Sequence, residues 1–554
     1  MAPLSLRLLG TATLLTSALA GHAEPPLAVA PPVPTLPAAA QETAPPVPTP
    51  PDTVQKTPAP VPVMRALPRT AEALQKLRVP PGPVFEPTRP LAVSGLPRLA
   101  FAVDRPAAAT AVDLNGDGRL DLFVPGVVAG SPPRNLVLMA QADGTFAADT
   151  SHPLAAVTRV MAAAWGDLDR DGRTDVFLAR RGPNQVWLQT AVGEWTDAGE
   201  RGGVATGSYS SVDAVLLDAD HDGDLDVFVV NGDGPNELLA NQGDGTFRPL
   251  AAGQEVAGTG RGSRSAVGLD LDRDGDVDLL VLNEEPPHGV YLNGGAGDYR
   301  PARGYEALAA APALAALAAD LNGDGSPEVY TVHPQGSVYR WLPADGGFRA
   351  EVLARLEDEG PWAQLAVVDT DGNGALELLL ARPGGWQILG ASGKTLTETQ
   401  APEEDPLAGA LAWPGDPARG PSVLSLGGPV PLAVAAPGPG RYPFLALELS
   451  GVTDPDQGLH SDPSGIGARV SVEVDGRRAS LEAHRSHSGP GQGLTPRVVG
   501  LGEAGRAAFV AIEWPDGVSQ HETDLGPGTV HRVVETRRKP LVQQGESGPK
   551  KRGE

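Results

Sequence analysis

The chain contains no cysteine, and this absence removes several classes of chemistry at once. Disulfide frameworks, thiolate zinc sites and cysteine nucleophiles are all excluded. Basic residues are also few: 43 Lys and Arg stand against 68 Asp and Glu, for a formal net charge of −25. A general nucleic-acid-binding surface is therefore not expected. Aromatic residues make up only 5% of the chain, but 41% of its residues are hydrophobic, which is enough for a buried core.

Long apolar runs are missing as well. The strongest candidate is a largely apolar stretch from Leu8 to Ala20, which follows the single positive charge of Arg7. It is shorter than the stretch of about 20 residues that a membrane-spanning helix needs. A short apolar run followed by small residues is typical of a secretory signal peptide, here residues 1–23, cleaved after Ala20 or after Ala23. We therefore expect a secreted, periplasmic or cell-surface protein with no transmembrane segment in the mature chain.

Proline and alanine dominate the region that follows the signal peptide. Residues 24–95 contain motifs such as Pro-Pro-Val-Pro, which favour an extended, semi-rigid linker over a packed domain. At the other end, residues 537–554 are polar and are predicted to form a disordered tail. We accordingly expect residues 1 to about 90 to be removable without unfolding the rest of the protein.

One nine-residue pattern occurs six times in the central region. The six loops begin at Asp113, Asp167, Asp218, Asp270, Asp320 and Asp369, and successive copies lie 49 to 54 residues apart. A fixed period near 50 residues indicates a repeat architecture. Oxygen-bearing side chains at positions 1, 3, 5 and 9, with the backbone carbonyl of position 7, can surround a hard cation, and this donor set favours calcium. Position 6 is glycine in every copy, which predicts a sharp turn with positive φ.

The candidate calcium ligands are the residues at positions 1, 3, 5, 7 and 9 of each loop. They are Asp113, Asn115, Asp117, Arg119 and Asp121; Asp167, Asp169, Asp171, Arg173 and Asp175; Asp218, Asp220, Asp222, Asp224 and Asp226; Asp270, Asp272, Asp274, Asp276 and Asp278; Asp320, Asn322, Asp324, Ser326 and Glu328; and Asp369, Asp371, Asn373, Ala375 and Glu377. The varied side chains at position 7 fit a ligand supplied by the backbone. An EF-hand is rejected, because it needs a bidentate Glu at position 12 and flanking helices. Here position 12 is Val, Leu or Thr, and strand-like sequence follows each loop.

Each repeat contains four strand-like segments, which is the content of one β-propeller blade. Together with the loops, the repeats resemble the FG-GAP or VCBS repeats of integrin-like β-propellers over roughly residues 96–440, and the resemblance implies calcium-binding blades. A further copy has strand-like segments at Leu411–Trp413 and Ser422–Leu426, but its loop, residues 415–420, lacks the oxygen ligands. The predicted fold is therefore all-β: a seven-bladed β-propeller, with six calcium-loop blades and one degenerate blade, followed by a small β-rich domain. The stretch Leu96–Val103 is expected to help close the ring.

The small domain is predicted over residues 441–536. Its segments Gly-Ile-Gly-Ala-Arg-Val from Gly465, Gly-Leu-Gly from Gly500 and Glu-Trp-Pro-Asp-Gly from Glu513 are similar to the ASPIC/UnbV domain of the cartilage acidic protein-like family. The region Arg485–Pro496 matches that family only in part. Trp514 could stack on a sugar, but we expect it to be buried, because large aromatic side chains usually are.

No catalytic constellation is found in the sequence. A Gly-x-Ser-x-Gly elbow is absent, and no acid/base pair stands apart from the six loops. We therefore expect no enzymatic activity and a monomeric, calcium-stabilised propeller that serves as an interaction or adhesion module for an extracellular or periplasmic protein or glycan. Two alternatives stay open: a carbohydrate-binding lectin, and an enzyme or accessory protein of secondary metabolism. The second rests on family association alone.

The six complete loops and the one degenerate copy predict six bound Ca²⁺ ions per chain and none in the seventh blade. Elemental analysis after exhaustive dialysis, or anomalous scattering from crystals, would count the ions directly. Two or fewer ions at millimolar calcium would contradict the assignment.

Overall fold

The computed structural model describes residues 80–204, 209–250, 255–258, 262–344, 347–356, 360–454, 456 and 458–536. The predicted signal peptide, most of the predicted linker and the predicted tail lie outside these residues. All described residues fall in one of the two units into which the chain divides, Arg65–Glu554. Among them, no helix is both long and apolar enough to cross a membrane.

Two short strands come first, and seven antiparallel sheets follow them along the chain. The short strands are β1 (Arg89–Pro90) and β2 (Val93–Ser94). Blade 1 contains β3 (Thr110–Val112), β4 (Asp121–Val128), β5 (Arg134–Ala140) and β6 (Phe146–Ala148). Blade 2 contains β7 (Val160–Gly166), β8 (Asp175–Arg180), β9 (Gln185–Ala191) and β10 (Glu194–Asp197). Blade 3 contains β11 (Ser211–Leu217), β12 (Asp226–Asn231), β13 (Glu237–Asn241) and β14 (Phe247–Pro249).

The remaining blades repeat the same order of strands. Blade 4 contains β15 (Ser263–Leu269), β16 (Asp278–Asn283), β17 (Gly289–Asn293) and β18 (Tyr299–Pro301). Blade 5 contains β19 (Ala315–Ala319), β20 (Glu328–Val332), β21 (Ser337–Ala344) and β22 (Gly347–Arg355). Blade 6 contains β23 (Gln364–Val368), β24 (Glu377–Arg382), β25 (Gly385–Leu389) and β26 (Thr395–Gln400). Blade 7 contains β27 (Leu407–Asp416), β28 (Gly420–Gly427) and β29 (Leu432–Ala435). Two short helices, α1 (Pro153–Ala156) and α2 (Glu306–Ala310), precede blades 2 and 5.

The central strands of the blades are apolar on both faces because each sheet packs between two others. In β12, for example, Val227, Phe228, Val229 and Val230 are all buried. Seven apolar clusters each join two consecutive blades, and one of them joins blade 7 to blade 1 through Trp413 and Phe146, whose ring centroids are 5.9 Å apart. The sheets therefore form a closed ring. The predicted seven-bladed, all-β propeller is confirmed.

The N-terminal strands complete the ring. Strand β1 pairs antiparallel with β29, with Arg89 opposite Val434, and becomes the fourth strand of blade 7. Strand β2 adds to β6 of blade 1 in parallel. Ring closure thus lies upstream of the stretch Leu96–Val103, from which Leu99 forms a single bridge with Val128. Pairing begins inside the segment assigned to the linker, where Gly440 N donates to Pro83 O (2.9 Å). We therefore expect the dispensable part of the N-terminus to end before residue 82, earlier than the sequence alone predicts.

The C-terminal domain has its own core. Its strands are β30 (Phe444–Ser450), β31 (Thr453–Asp454), β32 (Leu459–His460), β33 (Arg469–Val474), β34 (Arg477–Glu482), β35 (Arg497–Gly500), β36 (Ala507–Glu513), β37 (Ser519–Leu525) and β38 (Val530–Val534). They form sheets in the orders β35-β30-β38, β31-β32 and β34-β33-β36-β37. The apolar side chains of the larger sheets pack together in one cluster, which includes Trp514 at 3% exposure. Trp514 is a core residue and does not offer a face for sugar stacking.

Removing the ring-closing strands is predicted to destabilise the propeller, whereas removing the residues before them is not. A chain that starts at Pro80 should unfold at the same denaturant concentration as the full-length protein. A chain that starts at Gly95 also loses β1, β2 and Phe85, whose ring packs 5.7 Å from that of Trp386. We expect it to lose on the order of 3 kcal/mol or more, because deleting one packed Phe side chain costs about that much. Equal unfolding midpoints for the two truncated chains would contradict this role of β1 and β2.

Candidate calcium sites and the central channel

The six loops share one backbone conformation. Position 6 is a glycine with φ between 78° and 96° in all six, as the sequence predicts. Position 4 also has positive φ in every loop, between 60° and 75°, and this was not predicted. Three copies have glycine at position 4, and the others place Arg170, His221 and Arg273 in this left-handed region, which side chains other than Gly and Asn rarely occupy. The sequence did carry a signal for this positive φ, because half of the copies have glycine at position 4.

Four of the loops bring three carboxylates together. In the second, third, fourth and sixth loops, oxygen atoms of positions 1, 3 and 9 all lie within 4.8 Å of one another. The first and fifth loops carry an amide at position 3, Asn115 and Asn322, in place of the acid. Several of the clustered oxygens, including Oδ1 of Asp169, Asp218 and Asp220, are buried with no hydrogen-bond partner. Buried polar atoms are normally satisfied, so these unpartnered oxygens fit ligands of a hard cation.

In four of the six loops the acid at position 9 also holds the loop to its blade. Asp226 is the first residue of β12, and it accepts hydrogen bonds from the backbone N–H groups of Ala219 (3.1 Å) and Asn241 (2.9 Å). The first, second and fourth loops repeat this pair of bonds. The pKa of Asp226 is raised to about 8, chiefly by burial; the nearby carboxylates of Asp220 and Asp224 also raise it, and the two backbone donors oppose the shift. A cation beside this group would stabilise its charged form.

Positions 5 and 7 behave differently from the other ligand positions. Asp117 and Asp171, at position 5, form ion pairs with Arg119 and Arg173 at position 7 of the same loop. No position-5 residue belongs to the carboxylate clusters found among the described residues. Its role as a ligand, and that of the position-7 carbonyl, therefore stay predictions.

Neighbouring loops are linked by side chains at positions 4 and 7, and these links were not predicted from the sequence. Arg170 Nη2 at position 4 of the second loop lies 2.8 Å from Asp224 Oδ2 at position 7 of the third. In the same way, His221 Nε2 of the third loop lies 2.6 Å from Asp276 Oδ1 of the fourth. The sequence signal was a basic residue at position 4 followed, one repeat later, by an acid at position 7. These pairs connect the acidic loops of blades 2, 3 and 4.

The central channel of the propeller is occupied by a segment of the C-terminal domain. Residues 485–494, which we call the plug, extend between β34 and β35 and bond to inner strands of the blades. Gln492 N donates to Ala163 O (2.9 Å), and Gln492 O accepts from Trp165 N (3.0 Å). Ser488 N donates to Leu365 O (2.8 Å) on the opposite side of the ring. The region that matched the family only in part is therefore the region that fills the channel.

A buried ion pair anchors the plug. Arg485 Nη1 lies 2.8 Å and 2.7 Å from the two carboxylate oxygens of Asp213 on β11, and the two side chains are 3% and 0% exposed. Gly491 N donates a further bond to Asp213 Oδ1 (2.8 Å). Burial raises the pKa of Asp213, and the guanidinium of Arg485 opposes that shift. The sequence analysis missed both residues, although an acid in the otherwise apolar stretch Val212–Leu217 was a visible signal.

The two histidines of the plug region are held in the neutral form. Burial lowers the pKa of His484 to about 4 and that of His487 to about 3, and a nearby arginine contributes in each case. Neutral imidazoles add no second cation to the channel, so Arg485 supplies the charge that Asp213 requires.

Comparison with known proteins agrees with this architecture. Residues 113–178, 167–229, 218–281, 270–331 and 320–380 match the FG-GAP-like repeat, and residues 458–540 match the ASPIC and UnbV domain. The chain is thus a β-propeller of FG-GAP-like repeats followed by an ASPIC and UnbV domain, and the resemblance inferred from the sequence is confirmed.

Among individual proteins, the chain is similar to cartilage acidic protein 1. It is 32% identical to the Mus musculus protein and 31% identical to the Homo sapiens protein over 174 residues, which are 28% of this chain and 26% of each relative. The match therefore spans about a quarter of those relatives. Among solved structures, an Agrocybe aegerita lectin that recognises non-reducing terminal N-acetylglucosamine is 20% identical, with a TM-score of 0.41 over 56% of this chain and 84% of the lectin. A TM-score at that level supports no argument about ligands.

Replacing Arg485 is predicted to destabilise the protein strongly. Arg485→Leu leaves the carboxylate of Asp213 buried without its partner, and breaking a buried pair in this way costs about 3–5 kcal/mol. The double variant Asp213→Leu/Arg485→Leu should recover part of that loss, since no charge stays buried. As a control, Arg532→Leu removes an exposed arginine 3.8 Å from Glu448 and should cost less than about 1 kcal/mol. Equal unfolding free energies for Arg485→Leu and Arg532→Leu, measured in urea, would show that the plug is not anchored by this pair.

Proposed function

We propose that the protein is an exported, calcium-binding interaction module that recognises a protein or glycan outside the cytoplasm. FG-GAP-like repeats and the ASPIC and UnbV domain suggest an extracellular interaction module. The observation that carries the calcium assignment is the set of four loops in which three carboxylate oxygens lie within 4.8 Å of one another. Such a cluster of like charges is unfavourable by itself and becomes favourable around a divalent cation.

The partner surface that we favour is the face opposite the calcium loops, which we call the open face. Each calcium loop joins the first and second strands of its blade, so the start of the first strand and the end of the second lie at the open face. Four arginines lie at or near these positions: Arg159 directly precedes β7, Arg180 ends β8, Arg181 follows it, and Arg105 lies in the segment that leads to β3 of blade 1. None of them takes part in the ion pairs found among the described residues.

The electrostatics of this arginine group favour an anionic partner. Burial lowers the pKa of Arg105, the nearby charge of Arg181 lowers it further, and Asp104 opposes the shift. Burial also lowers the pKa of Arg180, which Asp197 raises and Arg159 lowers. Guanidinium groups that lie close to one another bind carboxylate, sulfate or phosphate groups by charge-assisted hydrogen bonds. An acidic protein surface or an acidic glycan therefore fits this face, and we expect the module to have no catalytic activity.

The test is capture of partners from the culture medium and cell-envelope fraction of the source organism, in 1 mM calcium and in excess chelator. We expect capture in calcium and its loss in chelator. The variant Arg159→Glu/Arg181→Glu should reduce capture at least about tenfold, because each reversed charge repels an anionic partner. The matched control Arg355→Glu changes an exposed arginine on the outer strand β22 and should leave capture unchanged.

The outcomes separate the candidate functions. Capture that is the same with and without calcium, or that the open-face variant does not alter, contradicts the proposal as stated. Binding to a glycan array that free sugar competes away would identify the module as a lectin. Substrate turnover by the purified protein would contradict its role as a purely binding module.

A further inference from the structure

The sixth loop, residues 369–377, differs from the other five in its burial. All its residues except Ala375 are buried, and the three acids Asp369, Asp371 and Glu377 are 2%, 7% and 3% exposed. The first loop, in contrast, has four consecutive exposed residues from Gly116 to Arg119. The same nine-residue pattern is therefore open to solvent in blade 1 and enclosed in blade 6.

The C-terminal domain forms the enclosure. Gly500 N donates to Asp369 Oδ2 (2.8 Å), and Gly502 N donates to Gly372 O (2.9 Å). From the start of β34 in the same domain, Arg477 Nη1 donates to Asn373 O (2.7 Å). The approach is so close that a Cβ atom on Gly500 would lie 2.0 Å from Gly372 C.

A further contact comes from the strand that enters the domain. Tyr442 N donates to Asp371 O (2.8 Å), and the ring of Phe444, which is 0% exposed, packs against Gly372 and Gly420. Backbone atoms from the start of β30 and from the end of β35 thus converge on one loop. Entry to the carboxylate cluster from solvent is closed by main chain and not by movable side chains alone.

The charges beneath this cover do not balance without a cation. Asp369, Asp371 and Glu377 hold three carboxylates with oxygens within 4.8 Å of one another, and Arg441 is the cation that interacts with all three. Arg441 is held in place by carbonyl oxygens, including Pro421 O at 2.7 Å, and by the ring of Phe85, 4.4 Å from its guanidinium carbon. With all three acids ionised, one guanidinium against three carboxylates leaves two negative charges, which one divalent ion would neutralise. Buried charge left unpaired is strongly unfavourable.

We propose that the sixth loop holds a calcium ion sealed between the propeller and the C-terminal domain, which leaves the protein only when the domain lifts from blade 6. The proposal rests on the calcium binding proposed above and adds a distinct role for one of the six sites. Ions in the exposed loops exchange directly with solvent, whereas the sealed ion exchanges at the rate of local opening. The sealed ion and the docked domain therefore stabilise each other, because binding to one state only shifts the equilibrium towards that state.

The experiment is exchange of ⁴⁵Ca²⁺ from the full-length, loaded protein into excess unlabelled calcium, after the equilibrium stoichiometry has been counted. We expect one ion per chain to exchange at least about 100-fold more slowly than the others. Asp371→Ala should remove the slow ion and leave the fast ones. Asp169→Ala, the same change at position 3 of the second loop, should remove a fast ion and leave the slow one.

A milder variant covers the case in which Asp371→Ala does not fold. Arg477→Ala removes one bond from the cover without touching a carboxylate, and it should speed up the slow exchange about tenfold or more. Gly390→Ala is its control, since a Cβ atom there would make only ordinary contacts of 3.6 Å or more within blade 6. Exchange of all ions at one rate, or a slow ion that survives Asp371→Ala, would overturn this inference alone. An equilibrium count of no bound calcium would instead overturn the proposed calcium binding.

Discussion

Each sheet of the propeller has two apolar faces, and neither can be buried except against the next sheet in the ring. This constraint explains why strands such as β12 are apolar along their whole length, and why apolar clusters join every blade to its neighbour. It also explains why closure needs a strand from outside the repeats. Blade 7 has only three strands of its own, and without β1 the edge of β29 would be left unpaired. The inner strands face the channel, where the plug satisfies backbone groups that would otherwise line an empty space.

The six acidic loops add a second constraint to this ring. They concentrate carboxylates at the turns between the first and second strands, where the chain has no room to spread them apart. The structure offsets part of the repulsion through backbone N–H donors to the position-9 acids and through the pairs Arg170–Asp224 and His221–Asp276. Some buried carboxylate oxygens still have no hydrogen-bond partner, and these interactions leave their negative charge uncompensated.

Much of the fold could be predicted because the residues that define each blade lie close together in the sequence. The nine-residue pattern marks both the loop and the start of the following strand, and its period of about 50 residues places every blade. The seventh blade could be predicted because Leu411–Trp413 and Ser422–Leu426 keep the strand pattern after the ligands are lost. Closure of the ring by Arg89–Pro90 could not be predicted, because two residues carry no periodic signal and their partner strand lies at the far end of the propeller. The plug was missed for the same reason: residues 485–494 have no regular pattern, and their bonds go to backbone atoms on distant strands.

The plug has a consequence for how the protein is assembled. The strand that closes the ring is made first, its partner strand is made after six blades, and the segment that fills the channel is made later still. The propeller must therefore accept the plug either while the ring is open or by insertion of this segment into a finished ring. The N-terminal strand β1 cannot pair until β29, after six further blades, has been made. Contacts between such distant parts of a chain form slowly, so the newly synthesised protein passes through a period in which β29 is unpaired and Asp213 faces an unfilled channel. During that period the chain is exposed to pairing with other chains and to proteolysis, and its yield depends on the speed of this last step.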